Sequence, residues 1–399
     1  MMWNSVQIAK TCLRTRMRDP RRNPDTLFLY VDISAIDRSF KVITSAPEIL
    51  GADAPSRARK EIREGDILVS TVRPNLNAVA VVPQHLDGQI ASTGFCVLRP
   101  NKSAIVRKYL FYFTTTPDFV GILSSKVRGA HYPAVSDSDV KEIELPLPTV
   151  SEQKCIVEIL DQADALRKKR AEADAKAARI LPALFYKMFG DPATSRDSAF
   201  QPLIDCAEIL MGQSPPGETY NREGRGLPFF QGKMEFGSVS PMVRQWCSSP
   251  TRIAKPGDIL LCVRAPVGPT NIANTKCGIG RGLAIIRPIL SKSTTEFLFY
   301  SLRAREKEIA NIAQGSTFTA IRRQDAEMIL IPKADIKLQN AFSAKAKNIQ
   351  DLLDRETTSR KIIEKLFSVL LYRAFTGDLT ARWREAHMKE LLMEMEAQS

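Results

Sequence analysis

The chain repeats itself at an interval of about 190 residues, and a repeat of that length restricts the fold to two copies of one unit. Gly65-Asp66-Ile67-Leu68 returns as Gly257-Asp258-Ile259-Leu260, and Leu98-Arg99-Pro100 as Ile286-Arg287-Pro288. Tyr109-Leu110-Phe111-Tyr112 returns as Phe297-Leu298-Phe299-Tyr300. The loop at Gly129 is matched by Gln314-Gly315-Ser316-Thr317, and the strand to Pro146 by Met328-Ile329-Leu330-Ile331-Pro332. Each copy then enters a long helix-like segment, and the two segments end alike, in Leu184-Phe185-Tyr186-Lys187-Met188-Phe189-Gly190-Asp191 and Leu370-Leu371-Tyr372-Arg373-Ala374-Phe375-Thr376-Gly377-Asp378.

Within the first copy, β-forming residues cluster at 26–33, 65–72, 77–83 and 94–100, bounded by Gly, Pro, Asn or Asp, and a helix is expected over 106–115. Pro146 and Pro148 stop the last strand. Thr149 with Glu152 three residues on predicts a capping box that starts the central helix. That helix carries a heptad of apolar or small residues at Ile156, Ile159, Ala163, Leu166, Ala173, Ala177, Ile180 and Leu184, with Arg170 the one break. Pro182 predicts a kink or a restart near its end. The expected order is a domain over 1–150, a helix over 151–190, a domain over 191–334, a helix over 335–377 and a tail over 378–399. The fold class is α+β: two strand-rich α/β domains separated by two long helices.

Two amphipathic helices of this length need partners, and in one chain each finds the other. An antiparallel pairing relates the two copies by a pseudo-two-fold axis. At the offset of the helix ends, 186 residues, Ile156 matches Phe342, Leu166 matches Leu352, Leu184 matches Leu370, and Arg170 matches Glu356. Opposite charges at the centre of such a pair fix its register; the alternative, that both face solvent or another subunit, stays open. A helix of about 37 residues spans roughly 55 Å. Domains at its ends touch one DNA duplex about one to one and a half turns apart, since a duplex rises about 3.4 Å per base pair.

A net charge of +13 and an isoelectric point near 9.4 point to an acidic polymer as partner. The excess sits in the domains, +5 over 1–150 and +5 over 191–334, against +2 over 151–190 and +1 over 335–399. Arg14, Arg16, Arg18, Arg21 and Arg22 form one dense cluster, a phosphate-contacting arm or a solvated loop. The mean hydropathy is −0.16, and neither a signal-peptide core nor a membrane-spanning run is present, so the expected location is the cytoplasm. The seven cysteines are scattered with no Cys-x-x-Cys, which suggests reduced thiols and no metal site.

Catalytic motifs are absent: no P-loop, His-Glu-x-x-His or Gly-x-Ser-x-Gly occurs. The Asn/Asp-Pro-Pro-aromatic tetrad that amino-methyltransferases use is also missing, Asn23-Pro24-Asp25 being the closest string. Gly278-Ile279-Gly280-Arg281-Gly282 precedes a strand, not a helix, and reads as a turn. Pro117-Asp118 with Asp139-Val140-Lys141 fits the loose carboxylate pattern of metal-dependent nucleases, yet its counterpart Arg323-Gln324-Asp325-Ala326-Glu327 keeps no lysine.

The whole plan, with Ser151-Glu152-Gln153 opening a long helix and Phe-Gly-Asp closing it, resembles the specificity subunit of type I restriction-modification systems. The resemblance covers essentially the whole chain. It departs at Lys337-Leu338-Gln339, where Ser/Ala-Glu-Gln is usual, and Pro182 falls on a surface that would dock a methyltransferase. It implies a chain without catalysis or a bound cofactor of its own. Two target-recognition domains each read half of a bipartite double-stranded DNA target, while the helix pair sets the spacer and docks two DNA adenine methyltransferase subunits. Those subunits supply S-adenosylmethionine chemistry, and restriction subunits supply ATP- and Mg-dependent translocation and cleavage. Candidate DNA-contacting residues are Arg73, Asn75, Lys126, Arg128, His131 and Tyr132 in the first domain. In the second they are Arg264, Arg281, Gln314, Ser316, Thr317, Thr319, Arg322 and Arg323. Arg suits guanine, Gln or Asn suits adenine, and other basic groups suit phosphates; for any single residue an ordinary solvated role stays open. The alternatives are a specificity subunit of another methyltransferase or phage-defence assembly, and a single-chain nuclease using Asp118, Asp139 and Lys141.

Overall fold

A computed structural model describes residues 3–129, 133–191, 199–313 and 320–398. The chain divides into two units, residues 1–171 with 359–399, and residues 172–358.

In unit 1 the strand Ile67–Ser70 lies between Phe95–Pro100 and Val79–Val81, antiparallel to both, and Cys12–Leu13 extends the sheet. Both faces of this sheet are covered, which is why Ile67–Ser70 is buried throughout. Ile67 and Val69 pack toward the helix Arg107–Thr114, and Leu68 packs on the opposite side with Ala80, Phe95 and Val97. A second sheet has the order Glu48–Leu50, Leu27–Val31, Ile90–Ser92, Ala58–Glu61, with a parallel pair at its centre. Unit 2 repeats this plan. Ile259–Cys262 lies between Leu283–Pro288 and Thr270–Ile272, with Ala207–Met211 at the edge. Its second sheet again pairs two central strands, Leu227–Phe230 and Cys277–Ile279, in parallel.

The repeated motifs have structural reasons. Gly65 and Gly257 both adopt positive φ, +84° and +89°, in a tight turn that glycine alone enters without strain. The aspartate that follows caps the turn, Asp66 Oδ2 accepting from Arg63 N and Asp258 Oδ2 from Lys255 N. The same buried carboxylates take a two-pronged guanidinium. Arg99 donates to Asp66 at 2.8 and 2.7 Å, and Arg287 to Asp258 at 2.9 and 2.8 Å. Gly-Asp-Ile-Leu and the Arg-Pro strand are therefore two halves of one ionic lock, made once in each unit.

Each unit also draws on both long helices. The central helix Val150–Ala177 starts in the core of unit 1 with Ile156 and Leu160, and the C-terminal helix Ile336–Thr376 brings Leu371 and Ala374 into that same core. Within unit 1 the two run antiparallel, since Glu152 meets Thr380 and Arg384, which follow the helix end, while Arg167 meets Glu364. The core of unit 2 takes Leu181 and Phe185 from the helix Ile180–Phe189, and Phe342 and Ala346 from the start of the C-terminal helix. The aromatic endings pack equivalently. Phe375 lies 5.1 Å from Tyr109 in unit 1, and Phe189 lies 4.8 Å from Phe297 in unit 2, ring centre to ring centre.

Two local expectations, the heptad and the capping box, are revised, and two more, the break near Pro182 and the entry of the second helix, are made specific. The continuous apolar heptad does not hold: Leu166 is 46% exposed, its counterpart Leu352 58%, Ile180 48%, and Ala173 is exposed. Burial instead follows Gln153, Ile156, Val157 and Leu160 at one end and Leu181 and Phe185 at the other, where the domains supply apolar partners. In unit 1 the row beyond Leu160 continues through the partly buried Asp164 and Arg167, which pair with each other at 3.1 Å. Pro182 acts through the turn before it. The helix breaks at Ala178–Arg179 and restarts at Ile180, which puts Pro182 in a first turn where its missing N–H costs nothing.

The predicted capping box is half made. Thr149 Oγ1 accepts from Glu152 N at 3.4 Å, but the Glu152 carboxylate turns to Trp3, Thr380 and Arg384 instead of back to the cap. The unusual entry of the second helix keeps the residue that matters. Gln153 accepts from Val106 N and donates to Pro148 O, and Gln339 accepts from Thr294 N and donates to Ala334 O. Each buried glutamine thus ties the start of a long helix to the start of the aromatic helix beside it, Arg107–Thr114 in unit 1 and Thr295–Ala304 in unit 2.

Removing one partner of a buried ion pair strands the other charge. Arg99→Ala and Arg287→Ala are each expected to lower stability by about 3 kcal/mol in urea denaturation followed by circular dichroism. Arg323→Ala, which loses only an exposed pair with Glu327, is expected to cost less than about 1 kcal/mol.

Candidate nucleic-acid interface

The locked strands lead away from the Asp–Arg pairs to a junction that both units build from the same backbone bonds. In unit 1, Thr71 at the end of its strand donates N–H to Gly94 O at 2.8 Å and accepts from Val135 N at 2.9 Å. In unit 2, Val263 donates to Gly282 O at 2.9 Å and accepts from Ile321 N at 3.0 Å. Each junction fastens the strand tip to a turn between two other strands and to the loop leading into a short helix, Asp137–Lys141 or Arg323–Glu327.

Several candidate residues gather there. In unit 1, Val72 and Arg128 both bridge to Ala134, and Arg73 N donates to Pro133 O at 2.8 Å. This brings together the segments carrying Arg73, Asn75, Lys126 and Arg128, of which Arg73, Asn75 and Arg128 are exposed. In unit 2, Arg264 bridges to Ala320, two and three residues before Arg322 and Arg323. Arg281 stands beside the Gly282 carbonyl of the junction and donates its backbone N–H to Ser214 Oγ. Arg264, Arg281, Arg322 and Arg323 are all exposed. His131, Tyr132, Gln314, Ser316, Thr317 and Thr319 lie outside the described residues.

The electrostatics leave these cations available. Arg128, with its side chain 78% exposed, is 3.5 Å from Asp139, and Lys126 is 3.9 Å from Glu142. Pairs of this kind hold weakly, and an incoming phosphate replaces them readily. Asp139 has other work: its carboxylate accepts from Ser136 N and Oγ and caps the start of its own helix, bonds that hold it below the usual carboxylate range, with Arg128 a smaller contributor. Asp325 caps its own helix in the same way, accepting from Arg322 N at 2.7 Å. The aspartate that suggested a nuclease motif is thus explained by capping in both copies. No cluster of three or more His, Cys, Asp or Glu side chains able to hold a metal occurs among the described residues.

The N-terminal arginine cluster is built against a sheet edge. Met17 bridges to Lys60, Arg18 N donates to Arg59 O, and Arg21 pairs with Asp19. All seven cysteines are free thiols, and burial pushes those of Cys96, Cys262 and Cys277 up to about 12. No helix among the described residues is long and apolar enough to cross a membrane. Arg170 belongs to unit 1 and Glu356 to unit 2.

Sequence reasoning passed over two features of this end of unit 1. Lys41, at the tip of the hairpin Ile36–Asp37 and Val42–Ile43, reaches the turn that follows Arg73, and Asn77 closes that turn. Neither carries a motif; their signal is backbone conformation, which composition and periodicity do not report.

Residues 46–174 match the family described as Type I restriction modification DNA specificity domain. Over 339 residues the chain is 32% identical to the "Putative type I restriction enzyme MjaX specificity subunit" of Methanocaldococcus jannaschii, covering 80% of this chain and 79% of that protein. It is 29% identical over 175 residues to the type I restriction enzyme HindI specificity subunit of Haemophilus influenzae, covering 42% of this chain and 38% of that one. A chain solved in a study of complex assembly and conformational transition of the type I R-M system superposes with a TM-score of 0.64 at 40% identity, over 95% of this chain and 98% of that one. The S subunit of the type I system of M. genitalium shares the fold, with a TM-score of 0.58 at 14% identity. Extended similarity to the first relative joins a shared fold and a junction built twice: the chain belongs to the type I restriction enzyme specificity subunits.

Proposed function

We propose that this chain is the DNA-reading subunit of a type I restriction-modification complex, each unit reading one half of a bipartite target in double-stranded DNA. The observation that carries the reading is the junction made twice with the same backbone bonds, each time beside exposed arginines at the end of an ionically locked strand. Two equivalent readers in one chain call for two half-sites. Arg73, Arg128, Arg264, Arg281, Arg322 and Arg323 are assigned to base edges and phosphates, with Asn75 and Lys126 beside them. Methylation and cleavage fall to partner subunits that bring S-adenosylmethionine, ATP and Mg. Mapping adenine methylation genome-wide in the host, with and without this chain, is expected to show one bipartite motif that vanishes on deletion; persistence of every motif would sink the reading.

Two methyltransferase subunits are proposed to dock on equivalent helix faces. Leu366 and Tyr372 in unit 1, with Ile362 and Val369 beside them, are exposed apolar residues on one helix. Their counterparts at the 186-residue offset, Ile180 and Tyr186, are exposed in unit 2. Apolar surface repeated in this way suits two copies of one partner. Leu366→Asp and Ile180→Asp are each expected to remove one methyltransferase subunit from the complex, read as a loss of one copy by native mass spectrometry.

The helices are proposed to set the spacer, with Arg170 and Glu356 fixing their register. A double-mutant cycle at these positions is expected to return a coupling of about 1 kcal/mol or more. Four residues inserted near Arg170 add about 5 to 6 Å of helix and should widen the unspecific gap by about one or two base pairs; an unchanged gap in an active complex rules the ruler out.

A further inference from the structure

Among the described residues only Lys41, Arg73 and Asn77 adopt positive φ without being glycine, at +56°, +48° and +45°. A side chain in this region crowds its own backbone, and such residues persist only where their surroundings hold them. All three belong to one bonded cluster in unit 1. Arg73 and Asn77 bracket the short 3-10 turn Pro74–Leu76, with Leu76 N donating to Arg73 O and Asn77 N to Pro74 O, both at 2.9 Å. Lys41 reaches across from the neighbouring hairpin, its Nζ donating to Asn77 O at 2.5 Å and to Asn77 Oδ1 at 2.8 Å. Asn77 Nδ2 in turn donates to Thr114 O, at the end of the aromatic helix.

From this geometry we infer that Lys41 is a positioning residue for DNA reading: it fixes the Arg73–Asn77 turn, and so the direction in which Arg73 and Asn75 present their side chains, without contacting bases itself. The hairpin is built to place it. Asp37 Oδ1 accepts from Ser39 N and Phe40 N, and Lys41 N donates to Asp37 O at 2.8 Å, so the tip is rigid and Lys41 points back over the turn. Its ammonium supplies the Asn77 carbonyl and amide oxygen with charged donors, and burial, reinforced by Arg167 and Arg38, draws its pKa down to about 8. A cation held at that cost against two oxygens of one residue serves the conformation of that residue. Specificity depends on side chains held within a fraction of an ångström, and a loop whose left-handed residues lose their anchor samples other directions.

The inference rests on the proposed function, and one experiment separates the two. Lys41→Met, which keeps the length of the side chain and removes the donor, is introduced into the chromosomal gene so that the complete complex forms, and adenine methylation is mapped genome-wide. The expected result is one-sided relaxation: sites with a changed base in one half of the motif become methylated about tenfold more relative to cognate sites, while the other half is read as before. Lys41→Arg, which keeps a charged donor, is expected to restore the narrow motif. Where Lys41→Met abolishes methylation, Asn77→Gly decides, since it keeps the left-handed backbone and removes only the amide contacts; it must relax the same half. An unchanged motif, or an even loss over all sites with the motif intact, as a simple phosphate contact would give, overturns the inference. If the parent strain shows no bipartite motif dependent on this chain, the proposed function fails first and the inference falls with it.

Discussion

The largest core of each unit is closed by residues from distant parts of the chain, because both long helices contribute side chains to it. The helix from Val150 starts on Ile156 and Leu160 among the aromatics of unit 1, and its continuation ends on Leu181 and Phe185 among those of unit 2. The C-terminal helix does the reverse, starting on Phe342 and ending on Leu371 and Ala374. Burial of a large apolar side chain contributes about 1.5 to 3 kcal/mol, so each unit loses several such contributions if the helix arriving from the other copy is withdrawn. The helices are therefore structural parts of the domains.

Around that constraint the two copies reuse one kit. A glycine turn, an aspartate that caps it, an arginine that forks onto the aspartate, a buried glutamine tying two helix starts and a terminal phenylalanine occur in both. What differs is added at the ends. The polar tail after Thr376 forms the helices Ala381–Ala386 and Met388–Gln398, and Arg384 with Thr380 and Trp3 satisfies the buried Glu152. The equivalent position in the second copy is Leu338, which has no such carboxylate to satisfy. Left-handed anchoring of a turn by Lys41 is likewise confined to unit 1 among the described residues. Specificity subunits need two readers of unlike targets on a common frame, and differences concentrated at loop tips provide that without disturbing the core.

Much of this was legible beforehand because repetition is visible without coordinates. The paired motifs located the strands, the aromatic helices and the long helices, and Pro182 located the break to within one turn. The heptad misled because a spacing of small and apolar residues does not say what stands opposite. Leu166 and Ile180 fit the period and yet face outward, while Arg167 lies on the partly buried row because Asp164, Glu364 and the Phe367 ring receive it. Glu152 matched a capping box by spacing and was drawn elsewhere by a charge 232 residues away.

The sequence by itself determined that there are two copies of one mixed domain, each followed by a long helix, and that their surface is basic, because those properties are carried by local order, periodicity and composition. Tertiary structure alone decided which copy's helix closes which core, which carboxylate meets which guanidinium, and which exposed arginines stand together. Those outcomes depend on contacts between residues from about thirty to more than two hundred positions apart, whose energies no local pattern records. The turn held by Lys41 is the clearest case, since Lys41 and Asn77 carry no motif and acquire their relation only when a hairpin and a loop are folded against each other.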